Sequence, residues 1–109
     1  MGKLLNQQQL FVRLTSKLIN WAYENGYELS YADAYRNPVF AGVLKYYKEW
    51  SKHCSRLAID LNVFKNDVWL RKTEELKPLG EYWESLDTMC SWGGRWNDGN
   101  HFSFGEGKK

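Results

Sequence analysis

Apolar side chains at helical spacing occupy the first part of the chain. They recur every three or four positions, as in an amphipathic helix with one buried face, at Leu10, Phe11, Leu14, Leu18, Ile19 and Ala22. Asn25 and Gly26 then provide a stop signal. The pattern predicts a helix from residue 4 to about residue 24.

Two later segments alternate between apolar and polar positions, as strands do. The clearest covers residues 57–64, where Asp60 falls on the polar face, and Asn66-Asp67 closes it. Residues 27–35 alternate less regularly and predict another strand, with a turn at Asn37-Pro38. We therefore expect at least two strands.

The remaining pattern predicts two more helices and an ordered tail. Helical spacing covers residues 38–50, with Pro38 in the first turn, and about residues 73–86, interrupted or started near Pro78. Five of the nine glycines lie in the last 17 residues, among several aromatic residues. Glycine adopts backbone geometries that other residues resist, so we predict a glycine-aromatic loop leading into a strand at residues 101–104.

These elements indicate an α+β fold in which helices pack on one side of a small antiparallel sheet. A chain of 109 residues has room for a single domain, residues 1–109. Aromatic residues make up 17% of it, enough either to build a small core or to line a cleft. Composition alone does not choose between these two uses.

Charge and hydropathy indicate which kinds of binding partner are not expected. Fifteen basic residues against 13 acidic ones give a net charge of +2, with no basic arm, so we expect no nucleic-acid partner. No apolar stretch approaches the ~20 residues of a membrane span, so we expect no membrane insertion. The first residues lack a signal-peptide pattern, which predicts accumulation in the cytoplasm. We expect a monomer.

The only two histidines, His53 and His101, each lie near an aspartate. Asp60 follows the first by seven residues, and Asp98 precedes the second by three. Zinc favours imidazole and carboxylate ligands, and a catalytic site uses three of them, which His53, Asp60 and His101 would supply. Asp98 would be left to move a proton. Alternatively, Asp60 is a solvent-exposed strand residue and Asp98 only serves a turn.

The sequence around these residues resembles that of a family of zinc peptidases. SKHCSRLAIDL at residues 51–61 and WGGRWNDGNHF at residues 92–102 resemble blocks of the D-alanyl-D-alanine carboxypeptidase and L-alanyl-D-glutamate peptidase family. That family shares its fold with the Hedgehog signalling domain. Ser51, His53, Ala58 and Asp60 match the first block, and Asp98 and His101 match the second. The resemblance covers about residues 27–104, and its second block looks most like bacteriophage L-alanyl-D-glutamate endolysins.

The resemblance implies a role for each matched residue. It makes His53, Asp60 and His101 the ligands of one Zn²⁺ ion and Asp98 the catalytic base. Arg36 falls where the family tends to have an arginine that holds substrate and stabilises the oxyanion, although a plain surface arginine is equally consistent with the sequence. Two aromatic residues of the tail, Trp92 and Trp96, are either walls of a substrate cleft or core.

Two positions depart from the family pattern, and the two cysteines are consistent with more than one arrangement. Arg56 replaces the glycine of the first block, and Ser103 stands where an acidic residue often follows the final His-Phe. If residues 53–54 are extended, Cys54 faces the core while His53 faces the metal. A disulfide from Cys54 to Cys90 is an alternative to two reduced thiols, which cytoplasmic accumulation favours.

The function implied is zinc-dependent hydrolysis of a peptide bond in the peptidoglycan stem peptide. The resemblance favours an L-alanyl-D-glutamate endopeptidase acting as a phage or prophage endolysin, held in the host cytoplasm until lysis. The alternatives are a D-alanyl-D-alanine carboxypeptidase, a catalytically silent zinc-stabilised binding domain, and a structural protein without metal.

Overall fold

The computed structural model describes residues 2–34 and 52–105. In chain order the elements of these ranges are α1 (Lys3–Glu24), β1 (Glu28–Tyr31), β2 (Ala58–Lys65), β3 (Val68–Leu70), a 3-10 helix (Thr73–Leu76), α2 (Lys77–Leu86), β4 (Cys90–Trp92), a second 3-10 helix (Gly93–Trp96) and β5 (His101–Phe104). The predicted α+β class is confirmed. No helix in these ranges is long and apolar enough to cross a bilayer.

The central strand of the sheet is β2, because its eight residues pair with three neighbours. The sheet is antiparallel with the order β1-β2-β5-β4, and β3 also pairs with β2. One edge of β2 pairs with β5 through residues 58–60 and, further along, with β3 through residues 63–65. The register places Asp60 directly opposite His101.

The core lies between the apolar face of the sheet and the two helices. It joins Leu14 and Leu18 of α1 and Trp83 of α2 with alternate residues of β2 such as Leu61. The fully buried Trp83 indole donates hydrogen bonds to the carbonyls of Ser91 and Ser103, both at 3.1 Å. A buried indole N–H needs such acceptors, and this one connects α2 to both β4 and β5.

Most predicted elements are present, with shifted bounds. The first helix ends at the predicted stop, where Gly26 has a φ of 87°. Of the strand predicted at residues 27–35, the part described here, which ends at residue 34, contains β1. The helix predicted over residues 73–86 is divided into a 3-10 turn and α2 with Pro78 in its first turn. The helix predicted at residues 38–50 lies outside the described residues.

Two short strands were not predicted from the pattern. Asn66 and Asp67 do not only close β2: both have left-handed backbone, with φ of 53° and 64°, and join it to β3 as a hairpin. A two-residue hairpin loop of this kind matches the right-handed twist of the strands it connects. Both β3 and β4 have three residues, too few for alternation to be recognised.

The tail forms the predicted loop and strand. Gly105, at the end of the strand, uses the predicted backbone freedom with a φ of 118°, but the three glycines of the loop serve a different purpose. Positive φ does not occur at Gly93, Gly94 or Gly99. Instead a Cβ atom at Gly94 would lie 2.2 Å from the Trp92 ring, and one at Gly93 would lie 2.6 Å from the Cβ atom of His101. These glycines are present because other groups pack directly against their backbone.

Candidate metal centre and its surroundings

His53 lies in the turn formed by residues 52–56, just before β2. Its side chain is 2% exposed, and its Nδ1 atom lies 3.1 Å from the carbonyl oxygen of Ala34. Because a carbonyl only accepts hydrogen bonds, Nδ1 carries a proton, and in the neutral form of the ring the lone pair is then at Nε2. The contact therefore sets the tautomer that a metal ligand needs.

Three side chains converge on the polar face of the sheet. The Nε2 atom of His53 lies 3.1 Å from Oδ1 of Asp60 and 3.2 Å from Nδ1 of His101, and the latter two atoms are 3.1 Å apart. Strand pairing positions Asp60 beside His101, and the turn before β2 adds His53. The structure thus brings together the three residues predicted as ligands, from positions up to 48 residues apart.

The chemistry of these donor atoms fits zinc. Two imidazole nitrogens and one carboxylate oxygen are ligands that Zn²⁺ prefers, and a tetrahedron of ligands about 2.0–2.1 Å from the ion has edges of about 3.3 Å. The observed separations of 3.1 to 3.2 Å are close to that edge. A lone pair of His53 facing a carboxylate oxygen is repulsive unless a cation lies between them.

The surroundings of the second ring nitrogen of His101, Nε2, are consistent with metal coordination through Nδ1. Its Nε2 atom is buried and has no hydrogen-bond partner among residues 2–34 and 52–105. Ser103, at the position where the family often has an acid, is fully buried, and its hydroxyl makes only a long contact of 3.5 Å with the carbonyl of Ser91. No carboxylate of the described segments therefore supports this ring from behind.

Asp60 is held in its charged form. Burial raises the pKa of its carboxyl. When the two rings are protonated, their hydrogen bonds, from His101 and His53, and their positive charge outweigh burial and lower the pKa to about 2. The side chain is 16% exposed, so one side of the cluster still faces solvent. A catalytic zinc site keeps one coordination position open to water, and this face leaves room for one.

Asp98 lies in the loop before β5, outside the cluster of three. Its backbone N–H donates to the carbonyl of Gly93 at 2.8 Å, and its carbonyl accepts from the N–H of His101 at 3.1 Å. The residue is exposed and lines an open cleft of about 240 Å³. Asp98 thus has a fixed backbone next to a candidate ligand and a side chain that solvent can reach.

The prediction that Trp92 contacts substrate needs correction. Trp92 is 3% exposed and belongs to the core, where its ring fills the space left by Gly80 and Gly94. Its indole N–H donates to the carbonyl of Gly99 at 2.6 Å, and its backbone N–H donates to Glu84 at 3.1 Å. Trp92 therefore holds the loop in place from beneath and offers no surface to a peptide.

Of the other predicted substrate contacts, Trp96 is placed beside the cluster and Arg36 lies outside the described residues. The Trp96 ring is half-buried, with its centroid 5.7 Å from that of the His101 ring at an angle of 61°. A role for Trp96 as a wall of the substrate site stays a prediction, as does the role of Arg36.

The two cysteines are not joined by a disulfide. Cys54 lies in a turn and is half-buried, so the expectation of an extended segment with Cys54 in the core was wrong. Cys90 is buried in β4, and burial, with smaller contributions from Asp87 and Glu84, raises the pKa of its thiol to about 12. A thiol held in its protonated form at neutral pH is a poor nucleophile and a poor metal ligand.

Sequence reasoning missed two groups that shape this region. One is the carbonyl of Ala34, which orients His53; a backbone oxygen has no sequence signal. The other is Glu84 of α2, whose carboxylate accepts from Arg95 Nη2 at 2.6 Å as well as from the backbone of Trp92. Acidic and basic residues 11 positions apart carry no recognisable spacing.

Arg56 adopts the conformation that explains why the family has glycine at this position. Its φ is 60°, in the left-handed region, and its N–H donates to the carbonyl of His53 at 3.2 Å, closing the turn. For a residue with a Cβ atom, this backbone geometry is less favourable in free energy by roughly 1–2 kcal/mol. The turn that carries His53 therefore keeps its shape despite the replacement.

Replacing Arg56 with glycine is expected to stabilise the protein. Relief of left-handed strain exceeds the added entropy of the unfolded chain, so the free energy of unfolding should rise by up to about 1 kcal/mol. Urea unfolding measures the change. Arg56→Ala is the matched control, because it removes the same side chain and keeps the strain. A glycine variant no more stable than the alanine variant would show that the turn is not strained.

The comparisons with known proteins identify a family. Residues 45–104, more than half of the chain, match the D-alanyl-D-alanine carboxypeptidase family. No curated protein matches the chain significantly.

A solved structure has a similar fold. The crystal structure of the L-Ala D-Glu endopeptidase ChiX of Serratia marcescens superimposes with a TM-score of 0.68 at 16% identity, covering 87% of this chain and 77% of that one. At this identity the similarity shows the fold alone. The resemblance found in the two histidine blocks is confirmed at the level of the family, whereas the narrower similarity to bacteriophage endolysins stays a prediction. The chain belongs to the D-alanyl-D-alanine carboxypeptidase family of peptidases.

Proposed function

We propose that this protein is a zinc-dependent peptidase that cleaves the L-alanyl-D-glutamate bond of the peptidoglycan stem peptide. The observation that carries the proposal is the convergence of His53, Asp60 and His101, whose facing atoms all lie within 3.2 Å of one another. The neutral tautomer of His53 and the anionic Asp60 form the donor set of a catalytic zinc site. A bound zinc ion would supply Lewis-acid polarisation of a carbonyl group and a lowered pKa for water.

The residues of the chain perform the remaining tasks. The three ligands lie on rigid elements, a sheet register and a hydrogen-bonded turn, so they keep their separation without reorganisation. Asp98 is the general base: its carboxylate takes a proton from the attacking water and delivers it to the departing amine. Its exposed side chain lines the cleft through which a peptide can approach. Arg36 is proposed to hold the substrate and stabilise the oxyanion.

A second candidate is removal of terminal D-alanine, favoured by the family that residues 45–104 match. The two activities use the same metal and base and differ in which bond is seated. The first is preferred because the block at residues 92–102 resembles L-alanyl-D-glutamate endolysins, and because it agrees with the activity named for ChiX, whose fold this chain shares.

One assay on a synthetic stem pentapeptide tests both the metal and the bond. We expect the protein to release a fragment that begins with D-glutamate, to lose this activity at least a hundredfold on chelation, and to recover it with zinc. Mass spectrometry identifies the products. Release of free D-alanine alone would instead favour the carboxypeptidase, and cleavage unaffected by chelation would contradict a metal mechanism.

The biological setting proposed is lysis by a phage or prophage, with the enzyme held in the host cytoplasm until the membrane is opened. Support comes from the resemblance of residues 92–102 to phage endolysins. We expect bacteria that express the protein to lyse only when a membrane-permeabilising protein is co-expressed, as followed by culture turbidity. Lysis without permeabilisation, or none with it, would contradict this setting.

A further inference from the structure

The cleft that contains Asp98 extends away from the metal-ligand cluster toward the β2–β3 hairpin. Between its pairing with β5 and its pairing with β3, β2 faces the loop before β5, and the N–H of Leu61 donates to the carbonyl of Asn100 at 3.0 Å. Here Asn62, Trp69 and Arg71 join Asp98 in lining the opening. The cleft therefore has the proposed base on one side and a cation on another.

Trp69 is an exposed aromatic residue with a fixed position. It is 47% exposed, although indoles are usually more buried, and its ring stacks on Phe64 across the hairpin at 6.2 Å with an interplanar angle of 28°. Directly opposed strand residues share a face of the sheet, and alternation along β2 places Phe64 and Asp60 on the same face. The Trp69 ring thus belongs to the face that carries the ligands.

Arg71 rests on this aromatic platform. Its guanidinium carbon lies 4.2 Å from the centroid of the Trp69 ring. In the two described ranges no carboxylate lies within ion-pair distance of Arg71, in contrast to Arg95, which is paired with Glu84 at 2.6 Å. A guanidinium stacked on a ring keeps its in-plane N–H donors available, in the fork geometry that matches a carboxylate.

The proposed substrate contains a free carboxylate that fits this position. A glutamate that is linked through its amine and one carboxyl group retains one free carboxylate. In an L-alanyl-D-glutamate substrate this residue carries the leaving amine, which Asp98 protonates. Because Asp98 lines the cleft, the leaving residue and its carboxylate enter the same cleft as Arg71.

We propose that Arg71, whose guanidinium lies over the Trp69 ring, is a substrate-binding residue that receives the free carboxylate of the residue on the leaving-amine side of the scissile bond. The proposal rests on the proposed peptidase function and adds to it a preference for a free carboxylate over a carboxamide at this residue. A charge-assisted contact of this kind corresponds to a preference of about tenfold to hundredfold.

Kinetics with two peptides test this role. The peptides are identical except that the free carboxylate of the D-glutamate is a carboxamide in one of them. Wild type should favour the carboxylate peptide by about tenfold or more in kcat/KM, mainly through KM. Arg71→Gln should remove the preference and leave the carboxamide peptide within about twofold of wild type, while Arg71→Lys should keep part of it.

The matched control is Lys72→Gln, which removes a neighbouring exposed cation that does not line the cleft. It should leave both peptides unaffected. The proposal is overturned if Arg71→Gln keeps the carboxylate preference or slows both peptides equally. If wild type cleaves neither peptide, the proposed function is at fault instead, and calorimetric binding of the carboxylate peptide to wild type and Arg71→Gln decides the role of Arg71: weaker binding by the variant supports it, and equal binding overturns it.

Discussion

Replacing His101 with alanine is expected to abolish zinc binding and peptidase activity together. His101 supplies one of three converging donor atoms, and the remaining two cannot hold the ion in a defined geometry. Wild type should bind one zinc per chain and the variant none, with activity at least about a thousandfold lower, since metal catalysis contributes several kcal/mol to lowering the barrier. Elemental analysis after dialysis and peptide hydrolysis measure the two quantities.

The control for this variant is Ser103→Ala, two residues further along β5 and also buried. It should bind zinc and cleave peptide as wild type does, so that loss in the His101 variant is not attributable to damage of the strand. Circular dichroism of both variants checks the fold. Full zinc binding by the His101 variant would remove this residue from the metal centre.

Replacing Asp98 with asparagine is expected to separate zinc binding from catalysis. Asparagine keeps the size and turn preference of aspartate but cannot take a proton from water, so activity should fall by about a hundredfold to ten-thousandfold. Zinc should remain at one per chain, because Asp98 lies outside the cluster of three. The same zinc and hydrolysis assays apply.

A matched change elsewhere is Asp67→Asn, which removes an exposed carboxylate from the hairpin turn. It should leave activity within about twofold of wild type. Loss of zinc in the Asp98 variant would make Asp98 a ligand, and undiminished activity would exclude it as the base.

The larger elements of the fold could be predicted because their patterns are long. The 22 residues of α1 contain apolar residues at helical spacing, and the eight residues of β2 alternate regularly through Ile59, Leu61 and Val63. The hairpin to β3 could not be predicted, because three residues give no period and Asn66-Asp67 is a weaker signal than a pair ending in glycine. Tertiary pairing with β2 decides that Val68–Leu70 becomes a strand.

Some residues of the candidate site could likewise be predicted from the sequence, and others could not. His53, Asp60 and His101 could be predicted as a set because their spacing matches a family pattern, and the sheet register then explains why two of them meet. Trp92 could not be assigned, since an aromatic residue near a site has the same sequence signature whether it faces inward or outward. Its burial follows from contact with Gly80 and Gly94, which come from different elements.

The distribution of aromatic residues gains a physical meaning from the structure. Trp83 and Trp92 are core residues whose indole N–H groups connect elements of the fold. Trp69 instead lines the cleft of Asp98, and Trp96 lies against the His101 ring. Contacts to a peptide should be sought at Trp69 and Trp96, and not at the two core residues.

The most direct test of the account is mass analysis of the fragments released from purified peptidoglycan sacculi by the zinc-loaded protein. The proposed function predicts glycan strands that retain only L-alanine of the stem peptide and free peptides that begin with D-glutamate. Sacculi whose stem peptides remain intact after treatment with folded, zinc-loaded protein would contradict it.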